Sequence, residues 1–358
     1  MDRKIIVLTE GKSNPRDAKT GTSLIRYRTS EVIAVLDKNL VGKTSQEVFD
    51  VGGSIPFVAE VSKLNGANTL LIGVAPEGGR LPDSWRKHIK EALELGMEIV
   101  SGLHDFLNED PEFKALSEKY HARIYDVRKN DEKDVAHREG INDTCLRIHT
   151  VGQDCSVGKM VTSIEINDGL VKKEMDSVFV ATGQTGIMIA GDGCPIDCVV
   201  SDFVNGAAEK LVLKNQDHDI IVVEGQGSLG HPSYSAVTLG LLHGISPHGM
   251  ILCYEARREN TKLYFDVPLQ PLEKIKEAVE LLGSFMSPCK VIGFSVNTQY
   301  LNEEDSKEEI SNIEKQFGLP ACDVIRNGPT KLIEAVLDFR NELLENGKLK
   351  SKKLTEVN

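Results

Sequence analysis

The stretch VGQDCSVGKMVT (151–162) combines two glycines, a lysine and the start of a helix at a spacing that can hold an anion. Gly152 and Gly158 let the backbone curl through Asp154, Cys155, Ser156 and Val157 so that successive N–H groups point inward. The helix opening at Lys159 adds the partial positive charge of its N-terminus. Lys159 itself brings a mobile cation to a phosphate oxygen. The pattern departs twice from the phosphate loop G-x-x-x-x-G-K-[ST]: five residues stand between the glycines, and Met160 occupies the hydroxyl position. That hydroxyl ordinarily ligates the Mg²⁺ that bridges the terminal phosphates in phosphoryl transfer, and a thioether is a poor ligand for so hard a cation. The loop is therefore expected to bind phosphate without cleaving ATP.

A second cluster follows the apolar run IIVV (220–223), which reads as a buried strand. It ends in Glu224, Gly225, Gln226, Gly227 and Ser228, with His231 close behind. A carboxylate at the tip of a central strand, beside small residues that admit substrate, is placed as a metal ligand or a general base. Asp202 and Asn205 share a face of a helix expected over residues 197–213. Arg257 and Arg258 lie just past a strand at 250–254, facing either an anionic ligand or solvent. Cys194 and Cys198 lack the second ligand pair of a zinc site, so no metal is expected there.

These residues need sheets to position them. Short apolar runs, among them 4–8, 32–37, 69–75, 124–127, 146–151, 177–181, 220–223, 250–254, 291–296 and 322–325, alternate with helical or polar stretches, which predicts an α/β fold. The expected architecture is two doubly wound parallel-sheet domains, Rossmann-like over residues 1–140 and P-loop NTPase-like over 141–358. In the first, a strand, a loop at 15–28 and a strand ending in Asp37 have the rhythm of a dinucleotide-binding half, without its G-x-G-x-x-G. Asp83 is expected to cap a long helix on which Trp85, Ile89, Leu93, Ile99, Val100, Leu103 and Phe106 share a face. The mixed-charge stretch 128–143 reads as a solvated linker, and 182–186 as a flexible polar loop at a strand's carboxyl end. Leu332, Ile333, Val336, Leu337, Leu343 and Leu344 make a closing amphipathic helix that packs in the core or forms an oligomer face.

A formal net charge of -12 argues against nucleic acid or an anionic membrane as partner, since both need a concentrated basic face. No apolar run approaches a membrane span, and the one at 5–8 is too short for a signal segment. Seven scattered cysteines, an odd number, do not form a disulfide framework, so a reducing cytoplasm is the expected compartment.

The second half resembles the dethiobiotin synthetase branch of the P-loop fold, which also places five residues between its glycines and carries an E-G-A-G-like loop after a later strand. GQDCSVGKM and residues 224–227 correspond to these. A wider resemblance covers nearly the whole chain. The blocks DAKTGTSLIRY (17–27), DVGGSIP (50–56), PEGGRLPDSWR (76–86), GQTGIMIAGDG (183–193), DFVNGAAE (202–209) and EGQGSLGHPSYSAVTLGLLHG (224–244), in this order, are similar to the D-glutamate N-acetyltransferase family. The resemblance implies an acyltransferase of D-amino acid catabolism that moves acetyl from acetyl-CoA to the amine of D-glutamate. It implies that the loop at 152–160 anchors the cofactor's phosphates and that Glu224, His231 or Asp202 is the base. The 225–228 turn, with Gln226 and Ser228, would stabilise the oxyanion. Lys19, Arg26 and Arg257 would meet the substrate carboxylates. A homo-oligomer, dimer or tetramer, is expected.

Lys159 and Glu224 also fit an ATP-dependent ligase or kinase of the dethiobiotin synthetase type, with Mg²⁺ and ATP as its cofactors. Met160 opposes that reading. A phosphate-binding sensor without turnover and a nicotinamide oxidoreductase complete the alternatives, the last carried only by the strand rhythm of the first domain.

Overall fold

The computed structural model describes residues 3–262 and 266–352, which divide into two compact units, one of the residues up to 130 with 187–191 and the other of 131–186 with those from 192 onward. Each holds one six-stranded parallel sheet.

The first sheet comprises β1 (Ile5–Leu8), β2 (Val32–Leu36), β3 (Phe57–Val58), β4 (Thr69–Ile72), β5 (Glu98–Ser101) and β6 (Ile124–Asp126) in the order β3-β2-β1-β4-β5-β6, the doubly wound order of a Rossmann domain. β1 and β4 are buried along their whole length, so they read as continuous apolar runs. Residues 15–28, expected as a loop, contain the helix Lys19–Tyr27. Its Gly21 donates to Gly73 O at 2.7 Å, and a β-carbon there would stand 2.9 Å from Val7 Cγ1, so this glycine serves close helix-to-sheet approach rather than a turn. The carboxylate of Asp37 accepts from Gly11 N (3.0 Å), Ser13 Oγ (2.6 Å) and Asn39 N (3.0 Å). The acid that would meet a ribose is thus bound to its own loops.

The long helix expected from Asp83 is two elements. A 3₁₀ turn, Asp83–Trp85, leads into the helix Arg86–Glu94, which stops before Gly96 at φ +73°, a conformation open to glycine. Ile99 and Val100 then belong to β5, between β4 and β6. Their apolar spacing continues the helical stripe by coincidence, because a buried strand is apolar at every position.

The second sheet comprises β7 (Leu146–Gly152), β8 (Ser177–Val180), β9 (Ile220–Val223), β10 (Gly249–Glu255), β11 (Lys290–Asn297) and β12 (Ala321–Cys322) in the order β12-β11-β10-β7-β9-β8. One core layer packs Leu146, Ile148 and Val222 against the helices Lys159–Lys172 and Thr330–Glu345, and another packs Ile221 and Val223 against Val204–Asn215 and Ser235–Ile245. The closing helix therefore buries its stripe within this unit. The helix expected over 197–213 is two 3₁₀ turns, Ile196–Cys198 and Ser201–Phe203, followed by the helix Val204–Asn215. The stretch 182–186 is a two-residue turn running into the helix Gln184–Ala190. The strand expected at 322–325 is β12, after which Asp323 caps a turn by accepting from Ile325 N and Arg326 N.

Residues 131–143 have no regular structure, yet they are pinned. Glu209, buried on the helix Val204–Asn215, accepts from His137 N (2.8 Å) and Arg138 N (2.9 Å), and the backbone of Asp134 comes so near Gly206 that a β-carbon there would overlap it. Among the described residues no helix is long and apolar enough to cross a membrane.

Candidate active site

Ligands of open α/β sheets bind beyond the carboxyl ends of the strands. In the second unit that edge gathers the loop after β7, the turn after β8, Glu224 after β9 and the residues that follow β10. β7 is buried throughout and delivers Gly152 to the edge. Gln153 N is tied to Cys253 O at 3.0 Å, but among the described residues no protein acceptor meets the N–H groups of residues 154–158. Ser156 (φ +56°) and Gly158 (φ +105°) are left-handed, which turns these donors into one concavity at the start of the helix Lys159–Lys172.

Lys159 lies across the loop. A β-carbon on Gly152 would stand 2.8 Å from its Nζ, which donates to Asp154 O at 2.8 Å. Burial lowers its pKa, opposed by the charges of Cys155, Cys253, Asp154 and Glu224. The hydroxyls of the next helical residues are engaged elsewhere. Thr162 is hydrogen-bonded to Ser295 Oγ (2.7 Å), and Ser163 donates to Lys159 O and pairs with Thr150 Oγ1.

Under the loop, Asp154 is fully buried. Its Oδ2 accepts from Arg258 Nη1 (2.9 Å) and Lys262 N (2.7 Å), while Oδ1 has no hydrogen-bond partner among the described residues. Arg258 also donates to Cys155 O and grips Glu255 with Nε (2.9 Å) and Nη2 (2.7 Å). Burial alone would lower its pKa, but the two carboxylates outweigh that and raise it. Atoms of Asp154, Cys155 and His231 that could ligate a metal lie within 4.8 Å of one another, with the Arg258 guanidinium already compensating Asp154. His231 Nδ1 accepts from Ser233 N (3.1 Å), which leaves the proton on Nε2, facing Lys262 O at 3.1 Å. Both ring nitrogens are engaged, so His231 ties two loops together. Burial raises the pKa of the Cys155 thiol, which keeps it protonated.

Glu224 is a buried carboxyl at the tip of β9. Its Oε2 accepts from Thr182 N (2.9 Å) and Gly183 N (3.0 Å), and Thr182 Oγ1 returns a bond to Glu224 O. Desolvation dominates over these N–H groups and pushes the carboxyl up to about 7. Gly225 N is taken by Thr150 Oγ1 (2.9 Å), and a β-carbon on Gly225 would stand 3.1 Å from Lys159 Cδ, so the acid adjoins the loop. Of the turn expected to hold an oxyanion, the Gly225 donor is therefore used internally. Gln226 Nε2 donates to Thr182 O, and Ser228 Oγ donates to Gln153 O (2.8 Å) while accepting from Gly230 N.

The remaining candidates are exposed. Asp202 is exposed on its 3₁₀ turn. Arg257 is exposed and paired with Asp305 at 3.0 Å; it is Arg258, one residue on, that turns into the loop. Lys19 and Arg26 are exposed on the helix Lys19–Tyr27 of the first unit. Sequence reasoning missed Thr182, Gly183 and Gly186, which seat Glu224, and the pairing of Asp154 with Arg258 and Glu255. The only signal for these was two adjacent arginines after a strand and a glycine-rich stretch after another.

A family model described as the P-loop domain of DUF1611, a domain of unknown function, matches residues 133–333, and its Rossmann-like N-terminal companion matches residues 38–130. The chain is 40% identical over 286 residues to a protein of Tritonibacter scottomollicae named D-glutamate N-acetyltransferase, covering 79% of this chain and 85% of that one. A protein of the same name from a Pseudoalteromonas species is 38% identical over 277 residues, covering 77% and 83%. The crystal structure of a DUF1611 family protein from Anabaena variabilis matches with a TM-score of 0.89 at 36% sequence identity, covering 94% of this chain and 99% of that one.

Proposed function

We propose that this chain, which belongs to the DUF1611 family, is a D-glutamate N-acetyltransferase that moves an acetyl group from acetyl-CoA to the amine of D-glutamate. The observation that carries the chemistry is Glu224, a buried carboxyl pushed up to about 7 beside an anion-binding loop. A base whose pKa lies near the working pH is efficient at taking a proton. Glu224 takes one from the acceptor's ammonium, and the freed nitrogen attacks the thioester carbonyl carbon. As the C–N bond forms the C–S bond breaks, and CoA leaves as a thiolate that is protonated by the second nitrogen proton. Glu224 returns its own proton to solvent.

Nothing in this sequence of steps needs a phosphoryl transition state, which suits a loop with Met160 in place of the magnesium hydroxyl. In this reading the reaction belongs to D-amino acid catabolism and runs in the cytoplasm, in keeping with seven free cysteines, and the enzyme is a homo-oligomer. The test is free-thiol release from acetyl-CoA with a panel of D- and L-amino acids, with mass spectrometry of the products. Acetylated D-glutamate that is lost in Glu224→Gln supports the reading. Absence of thiol release with every acceptor, together with ADP formation from ATP and Mg²⁺, overturns it in favour of a ligase or kinase.

A further inference from the structure

If Glu224 is the base, the loop beside it cannot also be the seat of the phosphates of acetyl-CoA. The base must lie within hydrogen-bond reach of the reacting amine, and the amine must meet the thioester. In acetyl-CoA the thioester and the pyrophosphate stand at opposite ends of the pantetheine arm, roughly 15 Å apart when extended, judged from ordinary bond lengths. Glu224 is far closer to the loop, since it precedes Gly225, whose β-position lies 3.1 Å from Lys159 Cδ, and Lys159 and Glu224 feel each other's charge. In an α-amino acid, by contrast, the amine nitrogen and the carboxylate carbon are two bonds apart. One amino acid spans both features; acetyl-CoA does not.

Charge leads to the same occupant. Three cations, Lys159, Arg258 and Lys262, stand among the carboxylates Asp154, Glu255, Glu224 and Asp197, and Arg258 is already committed to Asp154 and Glu255. A pyrophosphate would find Lys159 and the charge of Lys262, with a thioether at the position of the magnesium hydroxyl. An amino acid zwitterion brings its own ammonium, which faces Glu224, while its carboxylate meets Lys159 and the N–H groups of residues 154–158, which have no protein acceptor among the described residues. Lys159 Nζ spends one donor on Asp154 O, and an ammonium carries three. We infer that the loop 153–159 is the seat of the acceptor's α-carboxylate, and that the phosphates of acetyl-CoA are held elsewhere on the protein. This rests on the acetyltransferase reading.

The test is calorimetric titration of the full chain with D-glutamate and, separately, with CoA, for the wild type and Lys159→Met, with circular dichroism as the folding check. The variant should bind D-glutamate about 10- to 100-fold more weakly, the loss of one charge-assisted hydrogen bond, and CoA with its affinity unchanged. A variant that loses CoA binding and keeps D-glutamate binding overturns the inference while leaving acetyl transfer intact. Should Lys159→Met not fold, the wild type decides alone through D-isoglutamine, in which the α-carboxylate is an amide. Binding at least about tenfold weaker than D-glutamate supports the assignment, and equal binding overturns it. If the wild type forms no acetyl-D-glutamate, the reaction itself falls, a result distinct from either binding outcome.

Discussion

A β-carbon on Gly186 would overlap Oε2 of Glu224, the same oxygen that accepts from the backbone N–H groups of Thr182 and Gly183. The bare glycine is what lets the carboxylate lie against the turn after β8. Gly186→Ala should push the acid out of register with little effect on the rest of the unit. A shift of this size at a reacting group costs about 100-fold in rate. Thiol release reads this directly, and a variant with wild-type kcat would show that the seating of Glu224 does not matter.

Activity should depend on pH through the same group. Because the carboxyl is pushed up to about 7 and must be ionised to act, kcat/KM for the acceptor should rise with pH through that value. Glu224→Gln should remove the limb together with most of the rate. A limb that persists in the variant would assign it to another group.

Stability should run the other way. The folded carboxyl keeps its proton up to about 7 while the unfolded one releases it near 4.5, so the folded state binds more protons in that window and stability falls as pH rises across it. The full effect is at most about 3 kcal/mol. Glu224→Gln should therefore melt higher than the wild type at pH 8 and lose that advantage at pH 4.5. Equal melting curves at both pH values would contradict a strained, buried acid.

Neighbouring arginines should behave very differently. Arg258→Ala leaves the buried Asp154 and the partly buried Glu255 without their cation, a change of about 3–5 kcal/mol. Arg257 is 60% exposed and makes a surface pair, so Arg257→Ala should cost about 1 kcal/mol or less. Urea unfolding of both variants measures the contrast, and comparable losses would mean that the Asp154 network is not what holds the loop.

Chelation should leave the reaction untouched. With a thioether at Met160, the position after the lysine offers no hydroxyl to Mg²⁺, so EDTA should not change the rate and MgATP should yield no ADP. Steady ADP release by the wild type would reverse this.

Both chemical centres were legible because each sits where a buried strand stops. β9 is uniformly apolar and Glu224 is the first polar residue after it, while β7 is buried throughout although Arg147, His149 and Thr150 alternate with its apolar residues, and the glycine-lysine spacing of the loop marks its end. Partners brought from other strands were not legible. Thr182 and Gly183 act through backbone N–H groups, which leave no trace in side-chain type, and Arg258 differs from Arg257 only in the direction its backbone sends it, Arg257 being left-handed at φ +60°. The misread helix from Asp83 failed for a related reason. Apolar spacing marks burial, and burial alone does not separate the end of the helix Arg86–Glu94 from the strand that follows Gly96.

The pinned segment at 131–143 bears on how the folded chain meets a protease. Lys133 and Arg138 are exposed and of the type trypsin cuts, but cleavage needs some length of backbone drawn out into the enzyme's cleft. At 137 and 138 that backbone is in the grip of Glu209. Nicking there waits on local opening, so its rate, compared between wild type and Glu209→Gln, would read out how firmly a stretch with no helix and no strand is held.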